Sequence, residues 1–137
     1  MTSPATATCV CGAVRWSVAA PYRFFQYCHC SRCRKRSGST FAANICVQDG
    51  QLQFLAGEDR VQRFELPGAK AWCNAFCSVC GSAAPWRTRN GRFWIVPAGG
   101  LDDLPATPPT ANAHFASRAA WYVPAPELPT FDAEPDR

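Results

Sequence analysis

Hydrophobic residues alternate with polar ones in several short runs along the chain. In the run AVRWSVA, Val14, Trp16 and Val18 alternate with polar residues, which is typical of a strand with one buried face. Further runs follow, separated by glycine, proline or asparagine turn signals: YRFFQY, FAANICVQ, QLQFLA, RVQRFEL, KAWCNAF, SAAPWRT and RFWIVPA. About eight short strands with little helix predict an all-β fold.

Two segments depart from this strand pattern. SRCRKRSGS has no strand character and predicts one short helical turn that ends at Gly38. From about Leu101 the chain is rich in proline, and we expect extended coil around the body. Within it, the aromatic residues of AHFASRAAWYV are expected to dock back onto the domain. The pattern predicts one domain over residues 5–125 and a flexible C-terminal tail over 126–137.

Composition narrows the class of protein. The chain has 137 residues, enough for one modest core, and 47% of them are hydrophobic, which argues against disorder. No apolar run is long enough to cross a bilayer, and the start MTSPATATCVCG shows no secretory signal, so we expect a cytoplasmic protein without a membrane partner. A net charge of +4 is too small to favour nucleic-acid binding.

Cysteines are the strongest chemical signal. In a reducing compartment clustered cysteines are more often metal ligands or catalytic groups than disulfides, and the odd total of nine rules out complete pairing within one chain. The sequence CSVCG has the form of a zinc knuckle, whose glycine relaxes a tight turn. Seven cysteines form three groups: Cys9-x-Cys11, Cys28-x-Cys30-x-x-Cys33 and Cys77-x-x-Cys80.

The spacing predicts two zinc ions per chain. Two pairs make a closed set of four ligands, so the distant knuckle is expected to join the first pair: Cys9, Cys11, Cys77 and Cys80. That leaves Cys28, Cys30 and Cys33 with three thiolates on their own. Three thiolates and an open position describe a reactive zinc that can accept a substrate thiolate or a water.

Other arrangements stay open at this point. Cys46 or Cys73 could complete the trio, although both lie in apolar strand-like runs that favour buried, unreactive cysteines. An iron–sulfur cluster fits the cysteine count, but the CxC and CxxCG spacings favour zinc.

The two histidines allow more than one role. His29 lies between two expected ligands and points away from the metal if the chain is extended there, as a partly exposed neighbour or as a catalytic group. His114 is expected to be a hydrogen-bonded structural histidine, with a general base near the open zinc as the alternative.

Four cations follow or interrupt the trio: Arg32, Arg34, Lys35 and Arg36. They can form a solvated face, offset thiolate charge, or bind the carboxylates of an anionic substrate. For substrate binding we single out Arg32, Arg34 and Lys35. Trp86, Phe93, Trp94 and Trp121 are expected to be core or pocket wall.

Five motifs together resemble one known family: CVCGAVRW, YCHCSRCRKRSGS, FCSVCGS, AGGLDD and HFASRAAWY. The chain resembles the glutathione-dependent formaldehyde-activating enzymes, a family that includes centromere-protein-V-like proteins, from about Thr8 to Val123. The resemblance implies a β-tent, in which small antiparallel sheets gather around zinc. Thr8 stands where family members often carry glycine, and Cys46 and Cys73 are additional.

The resemblance also implies site roles and an activity. It places Cys9, Cys11, Cys77 and Cys80 on a structural zinc and Cys28, Cys30 and Cys33 on a catalytic zinc. The implied reaction joins formaldehyde and a small-molecule thiol, glutathione, to give S-(hydroxymethyl)glutathione, in the class of carbon–sulfur lyases. The rival hypothesis is a zinc-stabilised binding module without turnover, and a weaker one is sequestration of formaldehyde or metal.

Overall fold

The structure is a computed structural model that describes residues 3–136. Within this range the chain forms short strands, one α-helix and four single-turn 3-10 helices. The strands are β1 Ala5–Thr8, β2 Arg15–Val18, β3 Phe24–Cys28, β4 Ala42–Gln48, β5 Leu52–Ala56, β6 Val61–Glu65, β7 Cys73–Cys77, β8 Trp86–Arg87, β9 Phe93–Pro97 and β10 Ala111–Ala113. The helix α1 is Ser31–Ser37, and the 3-10 turns are Glu58–Arg60, Ala98–Gly100, Phe115–Ser117 and Ala125–Glu127.

Three small sheets carry the fold. One has the order β1-β2-β5, the central one has the order β10-β3-β4-β9-β8, and the third is the hairpin-like pair β6-β7. All pairings are antiparallel except that of β10 with β3, which is parallel. The all-β, small-sheet architecture is therefore confirmed, with one parallel edge pair that strand patterning does not reveal.

The central sheet is buried on both faces, and β4 shows why. Its residues Ile45 and Val47 pack with Trp16 and Val18 of β2 in the larger core, on the side of the first sheet. Cys46, between them in the chain, points to the other face, because successive strand side chains alternate. There it packs with Cys73 in the second core, on the side of the β6-β7 pair.

Helix α1 forms because its two ends are capped. At its start the Sγ of Cys30 accepts a hydrogen bond from the backbone N–H of Cys33, at 3.3 Å. At its end Gly38 adopts a left-handed conformation (φ 67°), and its N–H donates to the carbonyl of Arg34. The short helix ending at Gly38 is therefore confirmed, and its N-terminal cap is a presumed metal ligand.

Two strands lie outside the runs that sequence patterning picked out. Strand β1 is a weakly hydrophobic ATAT segment, in which Ala5 and Ala7 are buried against β2. Strand β10 (ANA) pairs with the free edge of β3, where the His29 N–H donates to the Ala113 carbonyl at 2.9 Å. Both segments are extended because of their tertiary partners rather than their own propensity.

The aromatic C-terminal segment docks back as expected. The rings of Phe115 and Tyr122 both meet the imidazole of His29 edge to face, with centroids 5.0 and 5.3 Å away. Trp121 remains 68% exposed and lies on the wall of an open groove. Across residues 3–136, each helix is too short or too polar to cross a lipid bilayer.

Candidate metal centres

The four-cysteine cluster joins distant parts of the chain. Cys9 and Cys11 follow β1, whereas Cys77 ends β7 and Cys80 lies in the turn after it. The four Sγ atoms all lie within 4.8 Å of one another. The Sγ of Cys11 is 3.5 Å from that of Cys9 and 3.8 Å from that of Cys77. The predicted pairing of the knuckle with the first pair is thus seen in the geometry.

Backbone N–H groups donate to two of these sulfurs. The N–H of Val14 donates to Cys9 Sγ at 3.2 Å, and the N–H of Val79 donates to Cys77 Sγ at 3.4 Å. Hydrogen bonding with the side chain of Ser82, and then with its backbone, lowers the pKa of Cys80 to about 5. Donors of this kind stabilise thiolates, the form in which cysteine binds a metal.

The cluster fits a tetrahedral metal. Zinc–sulfur bonds of about 2.3 Å place the corners of a tetrahedron about 3.8 Å apart. Two of the separations between sulfur atoms are 3.5 and 3.8 Å, close to that value, and the donor set is all sulfur with four ligands. These residues could therefore hold a structural zinc.

The second cluster comes from one continuous stretch. Cys28 is the last residue of β3, Cys30 caps α1, and Cys33 lies in the first turn of that helix. Their sulfurs also lie within 4.8 Å of one another, so the trio could hold a metal ion. Among the described residues no fourth cysteine, histidine or carboxylate joins the cluster.

Cys46 and Cys73 are not part of either cluster. They are 3% and 0% exposed and belong to the apolar core between the central sheet and β7. Burial raises the pKa of the Cys46 thiol. The prediction that both are buried is confirmed, and neither belongs to the cluster of the trio.

The electrostatics of the trio favour a thiolate at Cys33. Its pKa is lowered to about 5, first by hydrogen bonding with Cys28 and further by hydrogen bonding with Cys30 and by the charge of Arg36. The same hydrogen bond raises the pKa of the Cys28 thiol. Cys28 and Cys33 are 6% and 4% exposed, so these interactions act in a largely dehydrated place.

A cavity of about 640 Å³ opens onto the trio, and the three cysteines are among its lining residues. Trp72 and Trp86 line it, and both indole N–H groups are buried without an acceptor. Arg32, Lys70 and His114 also line it, and among the described residues the lining includes no acidic side chain. The cavity is therefore suited to a small anionic molecule that can accept hydrogen bonds.

The cations that follow the trio separate in the structure. Arg32 lines the cavity, whereas Arg34 and Lys35 do not. Lys70, which sequence reasoning missed, approaches from the segment before β7. Its position could not be read from the motif because it is 37 positions beyond Cys33 in the chain.

The two histidines differ from their expected environments. His29 is completely buried rather than partly exposed, and its Nε2 lies 2.9 Å from the Oδ1 of Asn112. The aromatic rings of the C-terminal segment cover it. His114, expected to be a satisfied structural residue, is exposed, has a left-handed backbone (φ 54°) and lines the cavity.

Comparison with known proteins shows the family of the chain. The model of the family described as "Glutathione-dependent formaldehyde-activating enzyme" matches residues 4–118. The chain belongs to this family. A protein of Halomonas elongata named "Putative glutathione-dependent formaldehyde-activating enzyme" is 32% identical over 124 residues, covering 83% of this chain and 76% of that protein.

A solved structure shares the fold. The crystal structure of a Rhodobacter sphaeroides protein superposes with a TM-score of 0.57 and 24% identity, over 74% of this chain and 91% of that chain. At this identity the likeness concerns the arrangement of sheets.

Proposed function

We propose that this protein is a zinc-dependent carbon–sulfur lyase acting on a small thiol adduct, with formaldehyde and glutathione as the substrates that its family name indicates. The observation that carries the proposal is a three-cysteine cluster without a fourth protein ligand, opening onto a cavity. In this proposal Cys28, Cys30 and Cys33 hold the catalytic zinc. Cys9, Cys11, Cys77 and Cys80 hold the structural one.

A zinc ion bound by the trio would supply an open coordination position and Lewis acidity. The chain's own residues then bind and orient the substrate. Arg32 and Lys70 offer cations to the carboxylates of glutathione, whereas Arg34 and Lys35 lie off the cavity wall, so the substrate-binding role is proposed for Arg32 and Lys70. The rings of Trp72 and Trp86 are proposed to limit the access of water to the cavity. Their two indole N–H groups, which have no acceptor, can donate hydrogen bonds to substrate oxygens.

The proposed reaction balances without an oxidant or reductant. The thiol gives up its proton, its sulfur electron pair forms the C–S bond, and the carbonyl π pair moves to oxygen, which takes up a proton to give the hydroxymethyl group. His114 is the imidazole on the cavity wall and is proposed to move that proton. All nine cysteines are free thiols in the fold, which fits the proposed cytoplasmic location.

The direct test is exchange NMR on an equilibrium mixture of formaldehyde, glutathione and adduct. The wild-type protein is expected to accelerate exchange between free and adduct signals. Cys30→Ser should abolish the acceleration and lower the zinc content from about two to about one per chain. Cys46→Ala is the matched control, because Cys46 is buried away from both clusters. Two zinc ions without any acceleration would instead support the binding-module hypothesis.

A further inference from the structure

Arg36 is a half-buried cation in the three-cysteine motif. It lies in α1, three residues after Cys33. Its Nε and Nη1 atoms are buried and have no hydrogen-bond acceptor, and among residues 3–136 no Asp or Glu forms an ion pair with it. A buried guanidinium without a counter-charge is strongly unfavourable, so something else must balance it.

Thiolates at the trio are charges that can balance it. Burial lowers the pKa of Arg36, and attraction to Cys33, Cys28 and Cys30, in that order, opposes this shift. By contrast, Lys35, its neighbour on the same helix, is exposed. Arg34 is half-buried and also has a buried Nε without an acceptor, but Arg36 differs from it in donating a hydrogen bond to Asn44.

Asn44 joins the guanidinium to one of these sulfurs. Asn44 lies in β4, is 7% exposed, and accepts a hydrogen bond on Oδ1 from Nη2 of Arg36 at 3.1 Å. Its Nδ2 donates to Sγ of Cys33 at 3.8 Å. Because the guanidinium can only donate, it orients the amide with its N–H group toward the sulfur. The two hydrogen bonds therefore run in one direction, with Arg36 donating to Asn44 and Asn44 donating to Cys33.

We propose that Arg36 is the counter-ion of the three-cysteine centre and that, with Asn44, it sets the metal affinity of this centre. The inference rests on the proposed zinc at the trio. A divalent zinc with three thiolates carries a net charge of −1, which one guanidinium balances. Arg36 and Asn44 are positioning residues: they act on the ligand sulfurs and are not proposed to touch the substrate.

The primary test compares Arg36→Gln with Lys35→Gln, which removes the same formal charge one residue away on an exposed position. Zinc affinity of both sites is measured by competition with a chromophoric chelator. Arg36→Gln is expected to weaken the three-cysteine site by about 10- to 100-fold, the usual effect of removing an outer partner of a metal ligand. Lys35→Gln should change the zinc affinity of the three-cysteine site by less than about threefold. The four-cysteine site should bind zinc equally well in both variants.

Asn44→Asp gives a second test that preserves side-chain shape. The aspartate has no N–H to donate to Cys33, and it pairs with Arg36, so the sulfurs lose both interactions. An affinity loss of at least about tenfold is expected. In cobalt-substituted protein, the thiolate-to-cobalt absorption of the three-cysteine site should move to longer wavelength, because the lone pair on the Cys33 sulfur is no longer stabilised by a hydrogen bond.

The outcomes separate the inference from the proposed function. Two zinc ions in the wild type, with unchanged affinity in both Arg36→Gln and Asn44→Asp, would overturn the inference alone. A wild type that binds only one zinc under metal-replete conditions would overturn the proposed centre as well. Should Arg36→Gln fail to fold, as judged by circular dichroism and zinc at the four-cysteine site, Asn44→Asp decides the matter.

Discussion

The Sγ atoms of Cys11 and Cys77 lie 3.8 Å apart although 66 positions separate them in the chain. Their contact ties the segment after β1 to the end of β7, two strands that belong to different sheets. A metal held there closes a long loop and contributes its binding energy directly to folding.

Replacing Cys77 by Ser is therefore expected to prevent stable folding. Structural zinc sites bind with an apparent energy on the order of 10 kcal/mol, which is comparable to the whole stability of a small domain. Circular dichroism and urea unfolding provide the measurement. Cys30→Ser is the control, since it removes a ligand from the other cluster and should still give a cooperative transition. A Cys77→Ser protein as stable as the wild type would rule out a structural metal here.

Replacing Cys46 or Cys73 by Ala should leave the zinc content unchanged. Both side chains lie in the apolar core and contribute packing rather than ligation. The expected cost is about 1 kcal/mol of unfolding free energy for each, because one buried group is lost. Elemental analysis and urea unfolding measure the two effects. Loss of a zinc ion in either variant would contradict the cluster assignment.

Replacing His114 by Gln is expected to slow the exchange reaction by at least about tenfold, since general acid–base groups typically contribute 10²–10⁴-fold. The zinc content and the free energy of unfolding should not change, because the side chain is exposed on the cavity wall. Partial rescue of the rate by added imidazole is a readout that a structural role would not give. An unaltered rate in the variant would leave His114 without a role in proton transfer.

Asp49→Asn should produce a pH-dependent loss of stability. The pKa of Asp49 is lowered, chiefly by the hydrogen bond from the Trp94 indole and also by Arg87. A lowered pKa in the folded state contributes stability that is complete above the ordinary carboxyl pKa of about 3.9 and is lost as pH falls through the lower folded value.

The difference in stability between wild type and Asp49→Asn should therefore be largest near neutral pH and shrink in acid. Urea unfolding at several pH values measures it, with Trp94 fluorescence as a local report. Asp59→Asn removes an exposed carboxylate in the turn Glu58–Arg60 and serves as the control for the loss of one negative charge. A difference that grew toward low pH would contradict the assigned direction.

Removal of residues 126–137 should change the unfolding free energy by no more than about 0.5 kcal/mol. Residues 126–136 are exposed, and the division into a domain over 5–125 and a flexible tail remains a prediction. Removal of residues 119–137 is the contrasting variant. It deletes Tyr122, which packs on His29, and the buried Ala119, so it should be clearly destabilised. Equal behaviour of the two truncations would disprove the predicted boundary.

Local patterns in the sequence predict several features of the structure. Alternation around Trp16 predicts a half-buried strand, and Gly38 predicts the end of the helix, because strand periodicity and a left-handed cap are properties of neighbouring residues. The trio of Cys28, Cys30 and Cys33 is likewise local, so its spacing alone brings three sulfurs together.

Other features depend on contacts between distant segments. The pairing of β10 with β3 and the burial of His29 arise from the docking of the C-terminal segment. This docking produces no periodic pattern of hydrophobic residues in the sequence. Lys70 and Trp72 reach the cavity only because β7 packs beside the central sheet. The same holds for the distinction among four neighbouring cations. The sequence determined that they lie beside the cysteines, but only the tertiary structure decided that Arg36 donates to Asn44, which in turn contacts Cys33. The charge of a residue is fixed by its type, whereas the groups that balance this charge depend on which distant segments pack against it in the folded protein.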